Sequence, residues 1–217
     1  MDLKYKKGDM REKFLEIFNR LFERFGPQHW WPANTKDEVV IGAILTQNTA
    51  WKNVEKALNN LRNSDLLELK KLSEADIETI KHLIKPAGFF NQKAVYLKNI
   101  SRFFIENRGF EELSKLDTKT LRKKLLNVKG VGKETADSIL LYVFKKPIFV
   151  VDTYTKRLIK RHNLCDCSDY DEVQKLFMEN LPLDEKLFNE YHALIVKLAK
   201  EYCKKRPICN GCPLEDF

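Results

Sequence analysis

Apolar residues recur at three- and four-residue steps along nearly all of this 217-residue chain, a spacing that builds amphipathic helices. Phe14, Ile17, Phe18, Leu21, Phe22 and Phe25 form one such stripe, and Gly26-Pro27 ends it. Thr35 with Glu38 makes a capping box ahead of an apolar run over 39–45, which suits a buried helix. Further helices are expected over 49–61, from Ser73 to near Pro86-Ala87-Gly88, and along the face of Tyr96, Ile100, Phe103 and Phe104. Ala136, Ile139, Leu140, Val143 and Phe144 mark another, stopped before Pro147, and Leu187, Tyr191, Leu194, Ile195, Leu198 and Tyr202 stripe the last. The expected class is all-α, with about ten helices by this periodicity. The β-branched stretch 148–151 reads as an extended link where the chain passes between two lobes.

A chain of this length can bury one large core or two small ones. It has no apolar run of about twenty residues, so no membrane span is expected. Residues 1–11 are charged and carry no apolar signal-peptide region, so a cytoplasmic, nucleoid-associated location is expected. Lys and Arg total 39 against 31 acidic residues, a formal charge of +8. That balance favours a polyanionic partner, although a solvated lysine-rich surface gives the same sum. Lys156, Arg157, Lys160 and Arg161 cluster at helical spacing, and Lys197, Lys200, Lys204, Lys205 and Arg206 form a second basic group.

The stretch Leu126-Asn127-Val128-Lys129-Gly130-Val131-Gly132-Lys133-Glu134-Thr135-Ala136-Asp137 sets two glycines between helical segments. It is not a dinucleotide fingerprint, because position 135 is Thr and the preceding segment is helical rather than a buried strand. A tight Gly turn between helices leaves backbone N–H groups near Gly130, Val131 and Gly132 to meet phosphate oxygens, with Lys133 adding charge. The plainer reading is a helix C-cap followed by a turn. Asp152 follows twenty residues after Gly132, placed to N-cap a helix running to Arg161.

Taken in order, the Gly130-Val131-Gly132-Lys133-Glu134-Thr135-Ala136-Asp137 turn, then Val150-Val151-Asp152-Thr153, then Cys203-x5-Cys209-x2-Cys212, resemble the helix-hairpin-helix DNA glycosylases of the endonuclease III superfamily. Trp30-Trp31-Pro32, Leu45-Thr46-Gln47-Asn48-Thr49 and Pro86-Ala87-Gly88-Phe89-Phe90-Asn91-Gln92-Lys93-Ala94 are most similar to its 3-methyladenine DNA glycosylase branch. The resemblance implies a two-lobed fold: a six-helix barrel over 36–146 that includes the hairpin, and a second lobe formed by 1–35 and 147–217. It places the active cleft between the lobes with Asp152 at its edge.

The same resemblance assigns roles. Asp152 stabilises the cationic sugar and directs water. Bifunctional relatives carry a nucleophilic lysine at the position of Glu134; Lys133, one residue earlier, is rotated by about 100° on a helix and does not substitute. A monofunctional enzyme is therefore expected. Trp31, Pro32 and Trp51 match the base pocket, where aromatic faces would hold a cationic alkylated purine by stacking and cation–π attraction, and Trp30 is expected in the core. Gln47 matches the residue that fills the gap left by a flipped nucleotide, and Phe89 the wedge beside it. Gly130, Val131, Gly132 and Lys133 match the phosphate-gripping hairpin.

Cys203, Cys209 and Cys212 resemble three ligands of the family's [4Fe–4S] loop. The family's fourth cysteine would fall one residue past Phe217, and the first spacing is one residue shorter than usual. Zinc held by three sulfurs and another ligand, or three free thiols, stay open. Cys165 and Cys167 read as separate surface or core thiols, and no nucleotide cofactor is expected. The expected activity is monofunctional excision of 3-methyladenine-like bases from damaged double-stranded DNA by a monomer, in base excision repair. A mismatch or oxidised-base glycosylase, and a non-catalytic helix-hairpin-helix DNA-binding module, remain alternatives.

Overall fold

The computed structural model describes residues 7–217 as an all-helical protein, with no β-strand among them. Among the described residues twelve α-helices occur with one 3₁₀ turn at Lys85–Ala87 and one π-helical turn at Ile139–Val143. The chain divides into two compact units, one of residues 31–146 and the other of residues 1–30 with 147–217. Among the described residues no helix is long and apolar enough to cross a membrane.

Residues 31–146 hold α2 (Lys36–Leu45), α3 (Trp51–Asn63), α4 (Leu69–Glu74), α5 (Ile77–Ile84), α6 (Phe90–Glu106), α7 (Gly109–Ser114), α8 (Thr118–Leu126) and α9 (Lys133–Ser138). The predicted capping box is present in altered form. Thr35 Oγ1 accepts from Glu38 N at 3.1 Å, while Glu38 Oε2 accepts from Asn34 N at 3.0 Å. Glu38 thus tethers the segment that carries Trp31 and Pro32, and Arg62 of α3 pairs with its other oxygen. Helix α2 is buried from Glu38 to Leu45, as its unbroken apolar run requires. The helix expected from Ser73 is instead two: Ser73 lies inside α4, and Asp76 begins α5 by accepting from Thr79 N at 3.0 Å. A short aspartate outcompetes a serine there because its carboxylate meets the orphan first-turn amide.

Helix α6 is the organising element of this unit, packing against α4 and α5 and burying Lys93, Ala94, Leu97, Ile100 and Phe104. Lys93 is 2% exposed, and its Nζ donates to Leu45 O at 2.8 Å and Ala87 O at 2.9 Å. Burial pushes its ammonium down to about 8. The unfolded chain then holds that proton more tightly, so this group's cost to folding fades as pH rises above about 8.

The other unit holds α1 (Lys7–Phe25), α10 (Thr153–Arg161), α11 (Tyr170–Asn180) and α12 (Glu185–Glu201). Its core is aromatic. Phe149 stacks on Phe177 with centroids 3.9 Å apart, Phe177 meets Phe14 at 4.6 Å, and Phe18 meets Tyr191 edge-on at 5.3 Å. Tyr191 hides its hydroxyl by donating to Phe14 O at 2.8 Å. The link Ile148, Phe149, Val150 and Val151 is buried and non-helical, as the β-branched sequence predicts, and Gln174 Nε2 satisfies the Phe149 carbonyl at 2.7 Å. Phe149 holds the strand of chain that ends at Asp152. Phe149→Ala is expected to lower unfolding free energy by about 3–5 kcal/mol, measured by urea denaturation.

Candidate functional site

Asp152 ends the buried link and caps α10. Its Oδ1 accepts from Tyr154 N at 2.9 Å, Thr155 N at 2.7 Å and Thr155 Oγ1 at 2.9 Å. Its Oδ2 faces His192 Nε2 of α12 at 3.6 Å, and the two side chains are 12% and 7% exposed. Burial works against the carboxylate, but His192 and the Thr155 donors outweigh it and hold Asp152 below the usual carboxylate range. One oxygen is therefore fixed by the helix cap, and the other shares its surroundings with an imidazole. His192 escapes sequence reasoning because it sits within the apolar stripe of α12 and carries no motif.

In the 31–146 unit, the turn between α8 and α9 is fixed from two sides. Arg122 of α8 grips Asp137 with Nε–Oδ1 at 2.7 Å and Nη2–Oδ2 at 2.9 Å, and Asp137 is fully buried. Such a two-pronged pair sets orientation as well as energy. From α6, Asn99 Nδ2 donates to Lys129 O at 3.1 Å and the Tyr96 ring lies directly beneath Gly130. Gly130 has φ +101°, and a Cβ there would fall inside the Tyr96 ring. Gly132 caps α9 with φ −90°, and a Cβ there meets nothing within 4 Å.

The expectation for Val131 needs correction: its N–H donates to Val128 O at 2.9 Å, so the turn consumes it internally. Lys133 and the exposed Glu134 lie in the first turn of α9, where a carboxylate is favoured by the helix dipole. Gln47 reaches the same turn, its Nε2 donating to Gly130 O at 2.9 Å and Thr135 Oγ1 at 3.0 Å. Phe89 stands 61% exposed in a left-handed conformation, φ 46° and ψ 30°, at the start of α6.

Trp31 and Trp51 are brought together, rings edge-on at 5.5 Å, and both are half-buried, while Pro32 is exposed. Trp31 rests on Gly42, where a Cβ would lie 3.5 Å from the indole, and Trp51 Nε1 donates to Glu55 at 2.8 Å. Tyr142 adds a third ring 5.2 Å from Trp31. The periodicity does not single Tyr142 out, because the π-helical turn at Ile139–Val143 shifts the register there. Trp30, expected in the core, is only half-buried, with Lys200 Nζ 5.8 Å from its ring.

Cys203, Cys209 and Cys212 line one cavity of about 350 Å³ with Arg161, His162 and Glu215. Arg161 Nη1 donates to Cys203 Sγ at 2.9 Å, and burial raises the Cys212 thiol above its ordinary value. A cubane cluster requires four thiolates. Three are present, and no group of three Cys, His, Asp or Glu is gathered tightly enough to hold a metal among the described residues. As it stands the set does not fit the cluster. Cys165 and Cys167, expected as separate thiols, bring their sulfurs together as a disulfide across one residue.

Residues 41–183 match the HhH-GPD superfamily of base excision DNA repair proteins, well over half of the chain. The chain belongs to that superfamily. Over 215 residues it is 50% identical to a Methanocaldococcus jannaschii protein provisionally named a DNA repair glycosylase, covering 97% of this chain and 98% of that one. It is 30% identical to endonuclease III of Thermotoga maritima, covering 93% and 90%. Among solved structures it is similar to the H. pylori 3-methyladenine DNA glycosylase MagIII bound to 1,N6-ethenoadenine, with a TM-score of 0.71, 30% identity and coverage of 91% and 98%. An endonuclease III–DNA complex shares the fold at a TM-score of 0.80, with 21% identity and coverage of 94% and 92%. This HhH-GPD member is a DNA glycosylase of base excision repair.

The two glycines separate cleanly by their surroundings. Gly130→Ala is expected to destabilise the protein by more than about 2 kcal/mol, through positive φ and the Tyr96 ring together. Gly132→Ala should stay within about 0.5 kcal/mol of wild type in the same urea titration.

Proposed function

We propose that this glycosylase is monofunctional and excises alkylated purines such as 3-methyladenine from duplex DNA, with Asp152 as its catalytic carboxylate. The observation that carries the reading is the division of labour on Asp152. Oδ1 is saturated by three donors of α10, which leaves Oδ2 as the oxygen to face a developing charge. Breaking the C1′–N bond places positive charge on the sugar, and a fixed carboxylate in a largely buried site stabilises it. Water adds to C1′, its proton passes to Asp152 Oδ2 and on to solvent, and the bond electrons leave with the base. A base that begins cationic leaves neutral, so no acid is needed to protonate it.

Trp31, Trp51 and Pro32 form the proposed base site, the half-buried indoles offering faces to a cationic purine. Tyr142 braces Trp31 from behind. The similarity to the H. pylori 3-methyladenine DNA glycosylase supports this choice of substrate. Glu134 at the lyase position leaves water as the nucleophile, since a carboxylate forms no Schiff base. Gly130, Gly132 and Lys133 grip the phosphate backbone, Phe89 wedges between bases, and Gln47 occupies the gap.

The wild type is expected to release free 3-methyladenine from methylated duplex DNA, and Asp152→Asn to lose at least about a hundredfold in rate, read by mass spectrometry of released bases. Borohydride should trap no covalent protein–DNA adduct. Release from mismatched or oxidised substrates instead would move the specificity to a neutral base, and binding without any release would leave a DNA-binding module.

His192 sets the pH range of this chemistry. Removing it takes away a group that holds the Asp152 carboxylate down, so its pKa rises. In His192→Gln the acid limb of the rate profile should move to higher pH, followed under single-turnover conditions. An unchanged limb would assign Asp152's ionisation to the α10 cap alone.

A further inference from the structure

Lys93 hydrogen-bonds to the ends of two segments that are separate in the chain. One of its acceptors, Leu45 O, ends α2; the other, Ala87 O, ends the 3₁₀ turn Lys85–Ala87. Both are last-turn carbonyls, which lack helical partners and carry the negative end of the helix dipole. A single buried cation satisfies both. Gln47 follows two residues after the first carbonyl, and Phe89 two residues after the second.

The hold on Phe89 is the tighter of the two. Gly88 and Phe89 are successive residues at positive φ, +68° and 46°, a backbone course that is costly for phenylalanine. Lys93 brackets them: its Nζ binds Ala87 O ahead of them, and its own N–H donates to Phe89 O at 3.0 Å. The result is a large apolar side chain held 61% exposed. On the other side, Gln47 continues the same connection to the hairpin through Gly130 O. Lys93 thus holds the chain two residues before Gln47, and Gln47 in turn binds the hairpin.

We propose that Lys93 is a positioning residue for base extrusion, its buried ammonium fixing the distance between the Phe89 wedge and the Gln47 plug so that opening a base pair and filling the gap occur as one event. This rests on the roles given to Gln47 and Phe89 above. A methionine at 93 fills similar volume but leaves both loop ends untied, and it removes none of the bonds that fix the hairpin from Asn99, Arg122 and Gln47.

The test uses a duplex with 2-aminopurine at the position to be opened, whose fluorescence rises as it unstacks. Lys93→Met should open the base about tenfold more slowly than wild type, a size expected when one buried hydrogen bond no longer holds the opening geometry. Its Kd for the same duplex, from anisotropy, should stay within about twofold, since phosphate contacts set affinity. Lys93→Arg, which keeps donors and charge, should recover most of the rate. In a Gln47→Ala/Phe89→Ala background the Lys93→Met effect should vanish, because the residues it acts through are gone. A folded Lys93→Met that opens the base at the wild-type rate overturns the proposal. So does a Lys93→Met loss that adds in full to the Gln47→Ala/Phe89→Ala background, which would mark a general packing defect. Should Lys93→Met fail to fold, Lys93→Gln carries the same comparisons. No fluorescence change with wild type would instead overturn the wedge-and-plug reading, and this proposal with it.

Discussion

Helix α6 passes so close beneath the turn between α8 and α9 that only a glycine fits at 130. That approach depends on Tyr96 lying flat under the turn, on Asn99 binding the Lys129 carbonyl, and on the Arg122–Asp137 pair closing α8 against α9. The same helix carries Lys93 at its start and Phe104 in the core. A single rigid element therefore sets where the hairpin, the Gln47 loop and the Phe89 turn stand. Sites built on packed helices hold their geometry better than sites on free loops.

The 1–30 and 147–217 unit solves a different problem, the placing of one carboxylate. A stacked aromatic core buries the link 148–151 and delivers Asp152 to the start of α10. Helix capping and the catalysis proposed for Asp152 ask for similar things of an aspartate, a fixed rotamer and a stable negative charge, and its two oxygens have different surroundings. The cap uses Oδ1 and lowers the cost of burying the charge; Oδ2 is left beside His192. Desolvation alone would neutralise such a group. The donors of α10 and the imidazole prevent that.

Much of this was legible in the residue order. The Thr35 cap of α2, the buried run of that helix, the extended link before Asp152 and the Gly130 to Gly132 turn all follow from local chemistry. Helix starts were less so. The chain from 69 to 84 forms two helices because Asp76 caps the second, a competition between neighbouring polar residues that periodicity does not rank. Val131 showed the limit of reading a turn as a set of outward amides, since its N–H closes the turn on Val128. Glu38 bound Asn34 N rather than completing the box at Thr35, which only the path of the chain through 31–35 could fix.

The sequence by itself determined the all-helical class, the position of the hairpin and the identity of the capping aspartate, because these depend on neighbours within a few residues. Only the tertiary structure decided that His192 faces Asp152, that Tyr142 backs Trp31, and that Lys93 ties Leu45 to Ala87. Most of those partners lie far apart in the chain, His192 forty positions from Asp152 and Lys93 forty-eight from Leu45, and no local spacing records them. A buried lysine or histidine is tolerated only where the fold supplies acceptors or an opposing charge. The sequence gives the residue, and packing gives its partner.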